Sequence, residues 1–232
     1  MWQLPSWAGE ALEFKLEPAQ VEISAAFAGA QLTATGSMRE PGDLVLKVAG
    51  PLQNVKLTRK TRLGPFWVAG ETVKVGSAPS LLFLYASAPI ATLLPTQAQR
   101  KYGLLLDGAA LRIEPQAQAL EDWRGAFFRL KEKAGYYREF KGALKLLENG
   151  QFSAPVLLPG NLQTGTYTVE ALIVNSGEVV GQAHGEFKVR VVGMEYWIRN
   201  GVHNYPWLFG VLFTLAAMLL GIALSAISSR PR

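Results

Sequence analysis

Cysteine is absent from this chain, and only two histidines occur among its 232 residues. The first absence removes disulfides, thiolate catalysis, Cys-ligated zinc and iron–sulfur clusters in one step. The second leaves His184 and His203 far apart in sequence, with no spacing of metal-ligand type. Glycine-rich phosphate loops, a G-x-S-x-G elbow and an H-E-x-x-H signature are missing too. The adjacent carboxylates Glu121 and Asp122 point apart on a helix and serve its N-terminus better than acid–base chemistry. We therefore expect no catalytic, cofactor or metal site. Blocks of like charge are lacking as well: 23 Lys and Arg stand against 18 Asp and Glu, scattered along the chain. No basic tract with interleaved aromatics offers itself to a phosphate backbone, so nucleic acid is not an expected partner.

One absence is local. From Asn200 to Ser229 there is no Asp, Glu, Lys or Arg. An uncharged apolar run of about 20 residues crosses a hydrocarbon layer as a helix, with its backbone hydrogen bonds satisfied internally. Residues 205–228 are read as that helix and 229–232, with Arg230 and Arg232, as a tail. Tyr205 and Trp207 suit the headgroup layer at one edge, and Tyr196 and Trp197 suit it in a juxtamembrane segment, 194–204. Within the helix, Gly210, Thr214, Ala217, Gly221 and Ser225 recur every three or four residues. They form one smooth face fit for close helix packing in lipid.

The remainder reads mainly as strands. Alternation marks 20–25, 30–36, 43–48 and 55–62, followed by 66–68, 72–75 and 81–85. Gly/Pro turns separate them, as at Pro41-Gly42 and Gly50-Pro51. Strands resume at 143–147, 152–156, 165–174 and 185–192, with hairpin turns at Asn149-Gly150 and 175–177. Between them, 90–102 reads as a short helix interrupted by Pro95, and 117–140 as an amphipathic helix. Its apolar stripe is Leu120, Trp123, Phe127, Leu130, Ala134 and Tyr137. Arg138 and Lys141 would complement its dipole at the C-terminal end. The fold class is mainly β: an antiparallel Ig-like β-sandwich of one or two lobes, an inserted amphipathic helix and one C-terminal transmembrane helix. The expected divisions are 1–14, 15–115 as a first lobe, 116–141 as the helix, and 142–193 as a second lobe. Residues 1–10 lack a basic n-region and an apolar core, yet Ala8, Gly9 and Ala11 are small residues of cleavage-site type. A clipped signal and a true start at Met1 both stay open.

One strand is chemically suggestive. Lys56, Lys60 and Arg62 share a face by period two, with Arg59 opposite and Phe66 and Trp67 just beyond. Such a strip could hold a small oxyanion through charge-assisted hydrogen bonds, meet lipid headgroups, or be a solvated edge guarded by cations.

Several segments in order resemble a known family: 41–51, 55–62 with 66–68, 130–137 and 158–169. The chain is similar along nearly its whole length to uncharacterised single-span transmembrane proteins of alphaproteobacteria, often encoded beside sulfite/organosulfonate exporter-type permeases. The resemblance implies an inner-membrane protein with a periplasmic N-terminal domain, a cytoplasmic C-terminus and no site residues to carry over. Two functions are expected on these grounds. The first is a non-enzymatic accessory subunit docking on a multi-spanning complex (a permease, or a respiratory or photosynthetic assembly). The alternative is a module binding a sulfite-like anion for an exporter-type permease.

Overall fold

The computed structural model describes residues 12–107, 111–114, 120–147, 150–193, 202–203 and 206–228. Its strands are β1 (Leu12–Glu17), β2 (Gln20–Ile23), β3 (Gly29–Met38), β4 (Asp43–Ala49), β5 (Leu52–Leu63), β6 (Phe66–Pro79) and β7 (Leu82–Ala86). Then come helices α1 (Ile90–Leu93) and α2 (Thr96–Lys101), β8 (Arg112–Glu114), α3 (Leu120–Lys133) and β9 (Tyr137–Lys141). β10 (Lys145–Leu146), β11 (Gln151–Pro159), β12 (Gly165–Asn175), β13 (Glu178–Val191) and the helix α4 (Pro206–Ser228) complete the order. Two compact units result, residues 1–21 with 28–190, and residues 22–27 with 191–232.

The first unit is layered. A four-stranded sheet in the order β1-β3-β11-β10 presents Leu16, Leu32, Ala34, Phe152, Ala154 and Val156 as buried residues at alternate positions. It faces a six-stranded sheet in the order β2-β13-β12-β4-β7-β9. The Tyr85 hydroxyl on β7 accepts a hydrogen bond from Leu157 N on β11 at 3.2 Å, and Gly185 on β13 backs onto Phe14 and Leu16 of β1. On its other side the six-stranded sheet carries a second core. There Val45, Leu82, Leu84 and Leu172 meet α1, α3 and the three-stranded sheet β5-β6-β8 through Ile90, Trp123, Phe127, Val73 and Val75. The middle sheet is thus covered on both faces, which explains why β7 is buried at all five positions instead of alternating. Strands from before and after α3 share two of the sheets.

Several expectations need correction. The helix expected over 117–140 ends at Lys133; Gly135 takes a φ of +76°, and the chain re-enters as β9. A left-handed residue after the last turn is how glycine closes a helix. β9 pairs parallel to β7, a departure from antiparallel order. Tyr137 therefore belongs to a strand, not to the helical stripe, and Arg138 and Lys141 leave the helix end to Lys131 and Lys133. The buried helical face is Trp123, Phe127 and Phe128, while Leu120 and Leu130 are exposed. Residues 90–102 form two helices with Pro95 heading the second. The strands expected at 66–68 and 72–75 are one strand, β6. β1 alternates strictly (Leu12, Phe14 and Leu16 against Glu13, Lys15 and Glu17) but is not among the expected strands, taking up part of the segment read as 1–14; β8, at three residues, is too short to show a pattern. The hairpin at 175–177 follows the expected turn chemistry: Ser176 and Gly177 both have positive φ, 51° and 84°, between the paired Asn175 and Glu178.

In the second unit, Val192 N donates to the Ile23 carbonyl at 2.9 Å, and α4 is an uncharged helix. Over Pro206–Ser225 it is long and apolar enough to cross a membrane, and none of that stretch is buried.

Candidate functional site

Three places carry the residues singled out in the sequence or chemistry it did not reveal. On α4, Gly210, Thr214, Ala217, Gly221 and Ser225 lie within an arc of about 80°, given roughly 100° per helical residue. A Cβ added at Gly210 or Gly221 would touch nothing within 4 Å. Thr214 Oγ1 donates to the Gly210 carbonyl at 2.8 Å, so this hydroxyl is satisfied within the helix and does not oppose an apolar surrounding. Trp207 stands exposed in the first turn. The other expected interfacial anchors, Tyr196, Trp197 and Tyr205, lie outside the described residues.

The basic residues sit on the β5–β6 hairpin. Lys56 is opposite Lys74, and Arg62 opposite Trp67. The register shifts between Thr58 and Lys60, where Gly70 and Glu71 of β6 oppose Arg59 alone, a bulge on β6. Arg59 turns to α3, its guanidinium carbon 4.9 Å from the centre of the Trp123 ring. Arg62 Nε donates to the Gly64 carbonyl of its own turn at 3.1 Å. The four cations are therefore not gathered into a cradle: Arg59 is held on the core side, and Lys56, Lys60 and Arg62 are strung along an exposed strand. Every residue from Thr58 to Thr72 is exposed, and the hairpin ends in Leu63, Phe66, Trp67 and Val68.

The third place was not legible in the sequence. A cavity of about 320 Å³ opens where β5, α3 and the loop before β12 meet Ser80. Lys131 reaches into it with its amine 5.7, 5.2 and 5.6 Å from the ring centres of Phe127, Tyr136 and Tyr137, and donates to the Ser80 carbonyl at 3.2 Å. Burial lowers the Lys131 pKa, and among the described residues no carboxylate lies within ion-pair distance of it. Ser80 Oγ is buried without a hydrogen-bond partner; it stands near the Tyr167 phenol but outside hydrogen-bond geometry. Asn161 Nδ2 donates to the Tyr136 hydroxyl, and Gln163 Nε2 to Gln53 Oε1, each at 2.5 Å. This is a polar-rimmed, apolar-floored pocket with one amine, of the kind that takes a small ligand. Its walls come from segments 53–57, 80–81, 127–136 and 161–167, which only the fold brings together. The adjacency of Tyr136 and Tyr137 to Lys131 was the one available signal.

No curated protein matches the sequence. A solved structure titled "Structural basis of T cell specificity and activation by the bacterial superantigen toxic shock syndrome toxin-1" aligns over 78% of this chain and 99% of the matched one. Identity is 8% and the TM-score 0.26, too low to establish a shared fold. The apolar α4 and the family profile agree in fitting a single-pass membrane protein. With residues 11–230 matched, the chain belongs to the alphaproteobacterial family described as "Putative transmembrane protein (Alph_Pro_TM)".

Proposed function

We propose that this protein is a non-enzymatic accessory subunit, held by α4 in the bacterial inner membrane and docked on a multi-spanning complex. Its β-rich body, an elaborated Ig-like sandwich in our reading, lies on the periplasmic side. The observation that carries the proposal is the small-residue face of α4. Gly210 and Gly221 leave the backbone bare on the same arc as Thr214, Ala217 and Ser225, and among the described residues nothing beyond the helix's own backbone lies within 4 Å of a Cβ position at either glycine. In lipid, helix association depends on such close backbone approach, because tails solvate Leu and Phe side chains as well as another helix does. The bulky residues Phe213, Leu219 and Leu220 keep to other sides and suit the acyl chains.

Purification in mild detergent followed by mass spectrometry tests the reading. The wild-type chain should co-purify with a multi-spanning protein, and a Gly210→Leu/Gly221→Leu variant should lose it while remaining membrane-inserted. Recovery of the wild-type chain alone and monomeric would sink the proposal. Protease added to spheroplasts tests the side: digestion of the β-rich body before lysis is expected, and survival until lysis would place that body in the cytoplasm.

A further inference from the structure

The distal half of the β5–β6 hairpin has no structural reason to carry its tip. Beyond Val73 every residue back to Thr58 is exposed, and β8 pairs with β6 only at Lys74, Val75 and Gly76. The segment 58–72 is therefore a two-stranded ribbon that projects roughly 20 Å, at about 3.4 Å per residue, with both edges open. A bare hairpin is marginally stable in water and would normally be polar at its end. This one closes with Gly64 at a φ of +61° and Pro65, and displays Leu63 at 70%, Phe66 at 70% and Trp67 at 67% exposure. Val68 adds to the same cap. Arg62 stands opposite Trp67 within the cap, Lys60 two pairs farther back, and Arg59 on Trp123 at the root, with Glu71 the one acidic residue from 58 to 72.

We infer that this finger inserts its Leu63-Phe66-Trp67 cap into the interfacial layer of a bilayer and sets Lys60 and Arg62 among anionic lipid headgroups. The order along the ribbon matches the order across a membrane surface: the Leu63–Phe66 pair at the end, Trp67 beside Arg62 in the next pair, and Lys60 two pairs farther back. Tryptophan and the amphipathic stems of Lys and Arg favour that boundary. Cations near an anionic surface gain further attraction, which falls with added salt. The partner follows from the chain itself. A body tethered to a membrane meets lipid at a high effective concentration, so even a weak individual contact is populated. Arg59 contributes differently: its hold on Trp123 fixes the direction of the ribbon at its root.

The absence of cysteine makes a direct test available. The full chain is reconstituted in nanodiscs and labelled with an environment-sensitive fluorophore at Phe66→Cys, with Glu40→Cys, in an exposed turn, as the control. Discs contain phosphatidylcholine alone or with phosphatidylglycerol, plus lipid bearing a doxyl quencher. In phosphatidylglycerol discs the position-66 label should be blue-shifted and quenched severalfold more than the position-40 label. Salt and a Lys60→Glu/Arg62→Glu variant, checked for an unchanged unfolding midpoint, should both reduce that quenching. A position-66 label that stays water-like and unquenched overturns the inference. Equal quenching in neutral and anionic discs, untouched by charge reversal, overturns the headgroup assignment. A label that is water-like in discs yet shielded in the purified native complex assigns the tip to a protein partner and likewise overturns it.

Discussion

The Arg59 guanidinium lies over the Trp123 indole with 4.9 Å between its carbon and the ring centre, joining β5, where it faces the bulge of β6, to the buried face of α3. Trp123 is almost wholly buried, and its Nε1 finds no acceptor among the described residues, so the ring is held by packing and by this cation. A partly exposed cation–π pair contributes about 0.5–1 kcal/mol. Arg59→Ala should lower stability by about that amount, and Trp123→Ala by roughly 3–5 kcal/mol as a large cavity opens. Thermal unfolding in detergent measures both. Equal effects from the two substitutions would show that Arg59 is structural well beyond this contact.

The second tie concerns β9. Tyr137 is fully buried and its hydroxyl donates to the Pro79 carbonyl at 2.9 Å, linking β9 to the end of β6. Tyr137→Phe keeps the edge-on contact with Phe127 and the tilted one with Phe128 but leaves that carbonyl without this donor. A loss of roughly 1–2 kcal/mol is expected. If denaturant midpoints of the variant and wild type coincide, solvent reaches Pro79 and the tie contributes nothing.

How these elements read in the sequence differs for physical reasons. The membrane helix was plain because lipid demands both length and absence of charge, and no other environment imposes both. Outer strands such as β3, β11 and β13 were plain because one face is buried and alternation survives. α3 was drawn too long because Trp123, Phe127, Leu130, Ala134 and Tyr137 keep a spacing of three and four across a boundary. Only Gly135, at a φ of +76°, marks the change of direction. β6 was split because its outer half from Phe66 to Thr72 faces solvent on both sides and shows no alternation. Of the cavity beside Lys131 the sequence shows only that Tyr136 and Tyr137 follow the lysine closely, since its walls come from four distant segments. The cations of β5 follow from period, but period cannot show that Arg59 lies over Trp123.

A third prediction tests the outer sheet. Gly36 on β3 is flanked by β1 and β11, and a Cβ there would run into the Glu13 carbonyl and the Phe152 ring. Both neighbours are held, the first by the ladder and the second by burial against Phe14. Gly36→Ala should therefore cost about 1–3 kcal/mol through overpacking and a spread β1–β3 pair. Hydrogen exchange at β1 should accelerate in the variant before exchange at β12 does. Uniform acceleration across both sheets would mean that β1 does not open separately.

The last prediction is a loss of stability in alkali. Tyr85 is buried, and burial pushes its pKa from the ordinary 10.0 up to about 12. Burial pushes Tyr137 and Tyr167 upward too. In the unfolded chain these phenols ionise near their ordinary value, so above it the folded state retains protons that the unfolded state has released. Stability then falls as pH rises. Their contribution is whole below about pH 10 and, for Tyr85, is lost through the interval up to about 12. Lys131 works in the opposite sense: burial lowers its pKa from 10.5, so its folded form releases a proton first and gains relative stability as pH rises toward that value. One half-exposed amine opposing three buried phenols leaves the net slope negative above pH 10. Unfolding midpoints should therefore drop through this range, and less steeply in Tyr85→Phe. Tyrosinate absorbance should rise in two steps, exposed residues first and the buried ones only with unfolding. A single early step with all seven tyrosines ionised in a folded chain would disprove their burial.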